Sequence, residues 1–358
     1  MGETGREDDV RADGLIDLAA EQVGGRAVLA NDEFFAPKEN LLKPGRAVFI
    51  EGKYTARGKW MDGWETRRRR EPGHDWCIVQ LGIPGVIRSV SVDTHHFRGN
   101  YPPACSLDAA TFTRRPAAAR LARARYRWVE IVPRAPLAGD AESEFPVRTD
   151  ARFTHVRLNI YPDGGVARLR IWGEARPDWS RLAGRRVDLA AVEHGGLPLA
   201  SSDAFFGDPL NLILPGRPPN MAGGWETRRR RTPGHDWVIL RLGHRGVIEE
   251  VEVDTIHFKG NFPESASLEG CDAPDARGAV PEAGTDWREL LPRTTLRAHT
   301  RHRFRLPQRS GPITHVRLNI FPDGGVARLR VWGVPTAPQR AGAPRASGGS
   351  RAPERAGR

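Results

Sequence analysis

The sequence predicts an all-β protein built from two tandem copies of one β-sandwich domain. The first reason is a long internal repeat, in which residues 63–70 (GWETRRRR) recur as residues 224–231. The second is an alternation of apolar and polar residues, as in 155–160, which is typical of a half-buried strand. The third is turn chemistry between such segments, as in 161–165 (YPDGG), because Pro starts turns and Gly tolerates positive φ.

The repeat also sets the predicted domain boundaries. Residues 154–173 match residues 314–333 at all but two positions, and the motif PGHDW occurs in both copies. We therefore predict a first domain over 15–176, a linker over 177–185 and a second domain over 186–334. Residues 1–14 are predicted to be a flexible N-terminus, and residues 335–358 a disordered basic tail, because their composition cannot form a core. Only the first copy carries a basic and aromatic insertion, around Tyr54–Trp60.

Each copy reads as a series of short strands with little helix. The pattern predicts strands at 79–82, 86–92, 155–160 and 166–171. The modest helix candidates are residues 16–22 and 117–125. Many short strands separated by Gly and Pro turns indicate a sandwich.

Composition excludes several classes of protein. The 358 residues include 28% charged and 39% hydrophobic residues, which is typical of globular domains, and no apolar stretch is long enough to span a bilayer. The N-terminus lacks a secretory pattern, and Cys77, Cys105 and Cys271 lack metal-type spacing, so we predict a cytoplasmic protein with inert thiols. The net charge of +11 does not predict nucleic-acid binding, because the arginine runs lack interleaved aromatic residues.

The repeated motifs resemble those of the allantoicase family. The motifs that carry the resemblance are GWETRRRR, PGHDW, VDTHHF or VDTIHF, and THVRLNI followed by YPDGG or FPDGG and VARLR. The resemblance covers residues 15–334 and implies two jelly rolls of the galactose-binding or discoidin-like type. It also implies a hydrolase that converts allantoate and water into ureidoglycolate and urea, in the degradation of allantoin and purine nitrogen.

Two alternative functions stand beside the one that the resemblance implies. A related ureide hydrolase acting on ureidoglycolate and a non-catalytic galactose-binding-like module both stay open. The expected partner is the small-molecule substrate allantoate, with no nucleic acid and no membrane. We also expect a homo-oligomer, whose subunit number the sequence does not give.

Release of urea needs proton transfer at the leaving nitrogen and at the attacking water. Histidine titrates near neutral pH, and a neighbouring aspartate can orient its ring. The PGHD loops are therefore candidates, together with the glutamate of each GWETRRRR motif. The predicted catalytic residues are His74, Asp75 and Glu65, with His235, Asp236 and Glu226 in the second copy.

The substrate carboxylate and ureido groups need cationic and hydrogen-bonding partners. In an extended strand Arg67 and Arg69 share one face, so at most one face of each arginine run enters a site. Asp93 and His96 would point to opposite faces, so a joint role requires a bend, which Gly99 is close enough to permit. The predicted substrate-binding residues are Arg67, Arg69, Asp93, His96 and Asn100, with Arg228, Arg230, Asp254, His257 and Asn261 in the second copy.

Structural roles stay open for these residues. The arginine runs can be solvated strands, Asp75 can cap a turn and Asn100 can form one, while His155 and His315 are predicted to be buried. The sequence requires no cofactor and leaves the metal content unknown, although Asp32 and Asp203 offer carboxylates for a divalent cation. The paired candidates allow one site per repeat or one composite site.

Overall fold

The computed structural model describes residues 14–112, 117, 120–121, 128–276 and 278–336. The strands of the first repeat are β1 (Ile16–Asp17), β2 (Arg26–Ala30), β3 (Tyr54–Thr55), β4 (Gly58–Lys59), β5 (Trp64–Glu65), β6 (Asp75–Asp93), β7 (Ala104–Ala110), β8 (Val129–Pro136), β9 (Glu142–Pro146), β10 (Arg152–Tyr161), β11 (Gly165–Val166) and β12 (Arg168–Ala175). Those of the second are β13 (Val187–Asp188), β14 (Leu197–Ser201), β15 (Trp225–Glu226), β16 (Asp236–Asp254), β17 (Ser265–Cys271), β18 (Arg288–Thr295), β19 (Arg301–Arg305), β20 (Pro312–Phe321), β21 (Gly325–Val326) and β22 (Arg328–Pro335).

Helical segments are short. A single-turn α-helix, α1 (Trp179–Leu182), lies between the repeats. The 3-10 helices are Glu21–Val23, Lys38–Leu42, Val192–His194, Pro209–Ile213, Met221–Gly223 and Pro274–Ala276. The prediction of an all-β chain with two tandem jelly-roll sandwiches is confirmed, and no helix among the described residues is long and apolar enough to cross a membrane.

Each repeat is built around one 19-residue strand that belongs to both layers of the sandwich. The first part of β6 pairs with β2 and β10, and its last part pairs with β9 and β12. β10 continues through β7 to β8, and β12 continues to β1. The register between β6 and β10 shifts between Gln80 and Gly85, beside Gly82, where a Cβ would clash with the carbonyl oxygen of Val23. The second repeat has the same order, with β16 as the shared strand.

The core lies between the two layers. Val156, Leu158 and Ile160 of β10 are fully buried, whereas Arg157 on the opposite face is partly exposed. This alternation buries one face of each strand, and removing that apolar surface from water stabilises the sandwich. The outer face of β10 is free to carry polar side chains.

Two local predictions need correction. The predicted strands at 79–82 and 86–92 are one continuous strand, β6, whose register with β10 shifts between Gln80 and Gly85 without ending the strand. The predicted helix over 16–22 is wrong, since Ile16–Asp17 pairs with β12 and the Asp17 carboxylate accepts hydrogen bonds from the backbone of Ala19 and Ile171. Such local bonds compete with helix formation. Most of the candidate helix at 117–125 lies outside the described residues.

Candidate active site

The predicted site residues surround one turn at the end of each sandwich, between β10 and β11 in the first repeat. In that turn Asp163 accepts a hydrogen bond from the backbone N–H of Arg69 at 2.9 Å. The carbonyl of Pro162 accepts from the N–H of Asp75 at 3.0 Å, and the carbonyl of Asn100 accepts from the N–H of Gly165 at 2.8 Å. The turn therefore holds three loops together. The same bonds recur around Asp323, Pro322 and Asn261 in the second repeat.

Glu65 lies in a cavity on one side of this turn, which we call the Glu65 pocket. Its volume is about 310 Å³, which suits a small ligand. The residues that line it are Phe35, Gly58, Lys59, Met61, Glu65, His96, Arg98, Gly99 and Asn100. A second cavity of about 550 Å³ shares Lys59, His96 and Arg98 with it. Cations thus stand beside a carboxylate at the mouth of a concave site.

The Glu65 carboxylate is held by the side chain of Asn100. Asn100 Nδ2 donates to Glu65 Oε1 at 2.7 Å. Burial raises the pKa of Glu65 above its usual value, although the Asn100 hydrogen bond acts in the opposite direction. A carboxyl group whose pKa is raised toward neutrality is suited to proton transfer.

His96 reaches the pocket because the chain turns sharply at this residue. Its φ is +71°, and its N–H donates to Asp140 Oδ1 at 2.8 Å. The ring nitrogen Nε2 lies 3.1 Å from the carbonyl oxygen of Ala47, which leaves Nδ1 for a ligand. The bend that a joint role with Asp93 requires lies at His96 itself rather than at Gly99. Asp93 is buried and bound to the backbone and ring of His95, and none of the contacts described joins it to His96.

The His74–Asp75 pair forms a separate cluster on the other side of the turn. Asp75 is 1% exposed, and its carboxylate accepts from Arg69 Nη1 at 2.7 Å and from Asn31 Nδ2 at 2.9 Å. The His74 ring instead packs on Tyr161, with ring centroids 4.7 Å apart. Asp75 therefore does not orient the His74 ring. The two side chains point in opposite directions because they are adjacent at the start of a strand.

Arg69 contacts Asp75 through its guanidinium group and also packs against the loop at Gly73. Gly73 has a φ of +134°, and a Cβ at this position would lie 3.0 Å from Arg69 Nη2. The close approach needs glycine, and it packs the loop against the guanidinium group. Arg69 therefore links the GWETRRRR segment to Asp75 and to the turn.

Arg67 faces solvent and does not line the Glu65 pocket. Its Nε donates to Asp32 Oδ2 at 2.7 Å, and its guanidinium lies 5.2 Å from the Phe34 ring centroid. Asp203 forms the matching ion pair with Arg228 at 3.2 Å. The two carboxylates that the sequence offered for a divalent cation are thus bound by arginine. The described residues contain no group of three or more His, Cys, Asp or Glu side chains arranged to hold a metal ion.

The second repeat has the equivalent contacts, although some of the residues around them differ. Asn261 Nδ2 donates to Glu226 Oε1, and Arg230 pairs with Asp236 at 2.6 Å. His257 has a φ of +74°, and its Nε2 lies 3.0 Å from the carbonyl oxygen of Pro218. The ring of His235 packs on Phe321, and Asp254 is buried, which raises its pKa. In place of the first repeat's β3–β4 hairpin, the chain forms the 3-10 helix Met221–Gly223.

Sequence reasoning missed several residues of the site. Lys59 and Met61 line the Glu65 pocket, but Lys59 lies in the insertion and Met61 corresponds to Ala222, so the repeat did not single them out. The available signal was the insertion itself, which is basic and aromatic. Phe35 was visible as a repeated residue, but an aromatic side chain next to a turn does not by itself indicate a ligand.

Comparison with known proteins identifies the family. Residues 16–176 and 187–336 each match the family described as the allantoicase repeat. A probable allantoicase of Pseudomonas aeruginosa is 51% identical over 326 residues, covering 90% of this chain and 97% of that protein. Probable allantoicase 1 of Burkholderia mallei is 48% identical, covering 89% of this chain and 94% of that protein. The crystal structure of allantoicase from Saccharomyces cerevisiae is 36% identical, with a TM-score of 0.74 and coverage of 89% and 93%. The chain therefore belongs to the allantoicase family.

Proposed function

We propose that the chain hydrolyses allantoate to ureidoglycolate and urea, and that the reaction takes place in the Glu65 pocket of the first repeat. The observation that carries the location is a half-buried carboxylate of raised pKa that lies beside Lys59 and Arg98 in a concave site. The family of the chain supports the reaction.

The chemistry assigns each group a task. In the overall step one C–O bond forms from water, one C–N bond breaks, and the proton lost by water ends on the nitrogen of urea. Glu65 takes up that proton and returns it to the leaving nitrogen, while Asn100 holds the carboxylate in place. Lys59 and Arg98 attract the substrate carboxylate, and His96 offers Nδ1 to a ureido N–H.

The remaining predicted residues have supporting tasks in this proposal. Arg69 and Asp75 hold the turn that positions Asn100 and Glu65, and Arg67 fixes the Asp32 loop through their ion pair. His74 packs on Tyr161 at the outer edge of the same turn. In the second repeat Glu226, Arg228, Arg230, His235, Asp236, Asp254, His257 and Asn261 maintain the matching loops without the Lys59 hairpin.

The test is urea release from allantoate by the purified chain, with ureidoglycolate followed in parallel. We expect equal amounts of the two products, and we expect the rate to survive treatment with a chelator, because the proposed step uses side chains alone. Urea from ureidoglycolate but not from allantoate would replace the proposal with the related ureide hydrolase. No urea from either compound, with or without divalent ions, would favour a binding module.

We further propose a cytoplasmic homo-oligomer. Three cysteines that are buried and free support a reducing compartment. Val48, Phe49 and Ile50 form an exposed apolar run next to the Glu65 pocket, which supports a contact between copies. Sedimentation of the full chain tests the second point, and a single monomeric species would contradict it.

A further inference from the structure

A large cleft between the two repeats takes no part in the proposed reaction. Its volume is about 760 Å³. One wall is the end of β12 with Trp179 of α1, and the other is the outer face of β16 and β20 in the second repeat. The side chains that line it include Trp179, His194, Arg241, His244, Ala273 and His315.

The second repeat differs from the first where it lines this cleft. Arg241 pairs with His315 across β16 and β20, and in the first repeat Gln80 pairs with His155 in the same register. His244 and His194 likewise stand where the first repeat has Ile83 and Val23. The second repeat has therefore gained one arginine and two histidines on this surface.

The cleft lacks an aromatic ring that the first repeat has at the equivalent position. In the first repeat the Phe112 ring packs edge-on against His155, with centroids 4.8 Å apart. The backbone N–H of Phe112 donates to Thr154 Oγ1, and the backbone N–H of Ala273 donates to Thr314 Oγ1 in the same way. Phe112 and Ala273 are therefore equivalent positions in the two repeats. Alanine thus replaces phenylalanine over His315, and Ala273 lines the cleft.

The hydrogen bonds of His315 determine what its free ring nitrogen can do. Thr314 Oγ1 donates to the carbonyl of Cys271 at 3.2 Å, so at its 2.9 Å contact with His315 Nδ1 it acts as the acceptor. Burial, with the nearby charge of Arg241, lowers the pKa of His315 to about 4, so the ring is neutral near pH 7. A neutral ring that carries its proton on Nδ1 has an acceptor at Nε2.

This acceptor is buried without a partner within the described chain, although the His315 ring lines the cleft. His315 is 1% exposed, and a buried acceptor that lacks a hydrogen bond is unfavourable. A ligand that brings an N–H or O–H to Nε2 would remove that cost. Arg241 beside it offers a planar cation that suits a carboxylate.

Arg241 is held in place at the cleft, where its Nη2 donates to the carbonyl of Gly195 at 3.1 Å. The other charges nearby form ion pairs. Arg245 is bound by Asp272 at 2.5 Å, and Arg176 is bound by Glu174 at 2.6 Å. Trp179 adds an apolar wall, with its ring 4.6 Å from that of His244. We propose that this inter-repeat cleft binds a small carboxylate that also carries an N–H or O–H donor, with Arg241 on the carboxylate and His315 Nε2 accepting from the donor.

The test is a calorimetric titration of the full chain with hydantoate (N-carbamoylglycine). This probe has one carboxylate and ureido N–H donors, and it has no second ureido group to release. Two variants separate the cleft from the Glu65 pocket. Arg241→Gln installs the residue that the first repeat carries, and Ala273→Phe installs the ring that closes the equivalent space there.

We expect a binding event in the unaltered chain that each variant weakens about tenfold or more, while turnover of allantoate changes by less than about twofold. Acetate, which has the carboxylate but no N–H donor, is expected to bind the cleft about tenfold more weakly than hydantoate. Melting curves show whether each variant folds, and the two variants disturb different groups. Hydantoate binding whose stoichiometry and affinity are the same in both folded variants as in the unaltered chain would overturn the proposal, as would equal binding of acetate.

Discussion

At the residue scale, the environment of Glu65 determines the proposed chemistry. Burial raises the pKa of its carboxyl group, and the hydrogen bond from Asn100 stabilises the ionised form. The two influences are opposed, so Asn100 keeps a buried carboxylate available as a base. Asn100 is therefore a positioning residue whose loss changes a pH profile as well as a rate.

Replacement of Asn100 by alanine should raise the pKa of Glu65 further, because the hydrogen bond that favours the ionised form is removed. A base must be ionised to act, so the acidic limb of the kcat/KM profile should move to higher pH. Steady-state rates across the acidic range measure this movement. Asn261→Ala is the matched control and should leave the limb in place; an unchanged limb in Asn100→Ala would show that Glu65 is not the base.

The sequence singles out several residues that line the Glu65 pocket, but it does not show which side chains contact each other. Glu65, His96 and Asn100 were visible as repeated polar residues, and the structure places all three around one pocket. His74 and Asp75 are neighbours in the chain, yet their side chains lie in different contacts because direction alternates along an extended backbone. Contacts between loops depend on how the turn at Asp163 folds, and periodicity carries no information about that.

At the element scale, the β3–β4 hairpin is what distinguishes the two repeats. It brings Lys59 to the rim of the Glu65 pocket, where the ammonium group lies 4.4 Å from the Phe49 ring centroid. The sequence marked this segment as an insertion and did not show where it packs. The place where the hairpin packs depends on the loops around the pocket of the first repeat, and the second repeat does not have the same loops.

Substitution of Lys59 by methionine removes the charge while keeping most of the side-chain volume. We expect KM for allantoate to rise about tenfold, because an interaction with the substrate carboxylate made in both ground and transition states is lost, and kcat to change by less than about threefold. Lys53→Met is the control on the same loop, since Lys53 packs on Trp60 at 3.7 Å and does not line the pocket. Equal KM values for the two variants would contradict the role of Lys59.

The first strand of each repeat is fastened by a buried aspartate. Asp188 of β13 accepts hydrogen bonds from the N–H groups of Ala190 and Val331, and its second oxygen lies 3.6 Å from Arg330 Nε. Burial raises the pKa of Asp188 from 3.8 to about 6 despite the charge of Arg330. Its ionised form is therefore less favourable in the folded state than in the unfolded state.

This raised pKa predicts how stability depends on pH. The folded state binds the proton more tightly, so the contribution of Asp188 to stability is present below pH 3.8 and is lost as the pH rises through about 6. The loss amounts to about 3 kcal/mol. Asp188→Asn keeps an acceptor for the two N–H groups and cannot ionise. Denaturant unfolding should show the parent losing about 2 kcal/mol of this between pH 4 and 6 relative to the variant, and parallel curves would contradict the expectation.

At the scale of the whole molecule, one fold has been used twice with different surfaces. The family and the two sandwiches follow from repeated motifs, because a repeated sequence of this length specifies the same core. The long strand that joins the two layers did not follow, since the Gly and Pro residues at 82–85 predicted two separate strands. The differences between the two surfaces arise at positions where the sequences of the two repeats do not match. An insertion forms one pocket in the first repeat, and the replacement of Phe112 by Ala273 opens a cleft beside the second.

In the proposed mechanism a single centre in the first repeat carries the reaction. The direct measurement is urea release from allantoate by the unaltered chain, by Glu65→Gln and by Glu226→Gln, since glutamine keeps the acceptor for the asparagine and removes the base. We predict that kcat falls about 100-fold or more in Glu65→Gln. We predict that it changes by less than about twofold in Glu226→Gln. A loss of about half in each variant would indicate two independent sites, and near-total loss in both would indicate a composite site; either result would contradict the account.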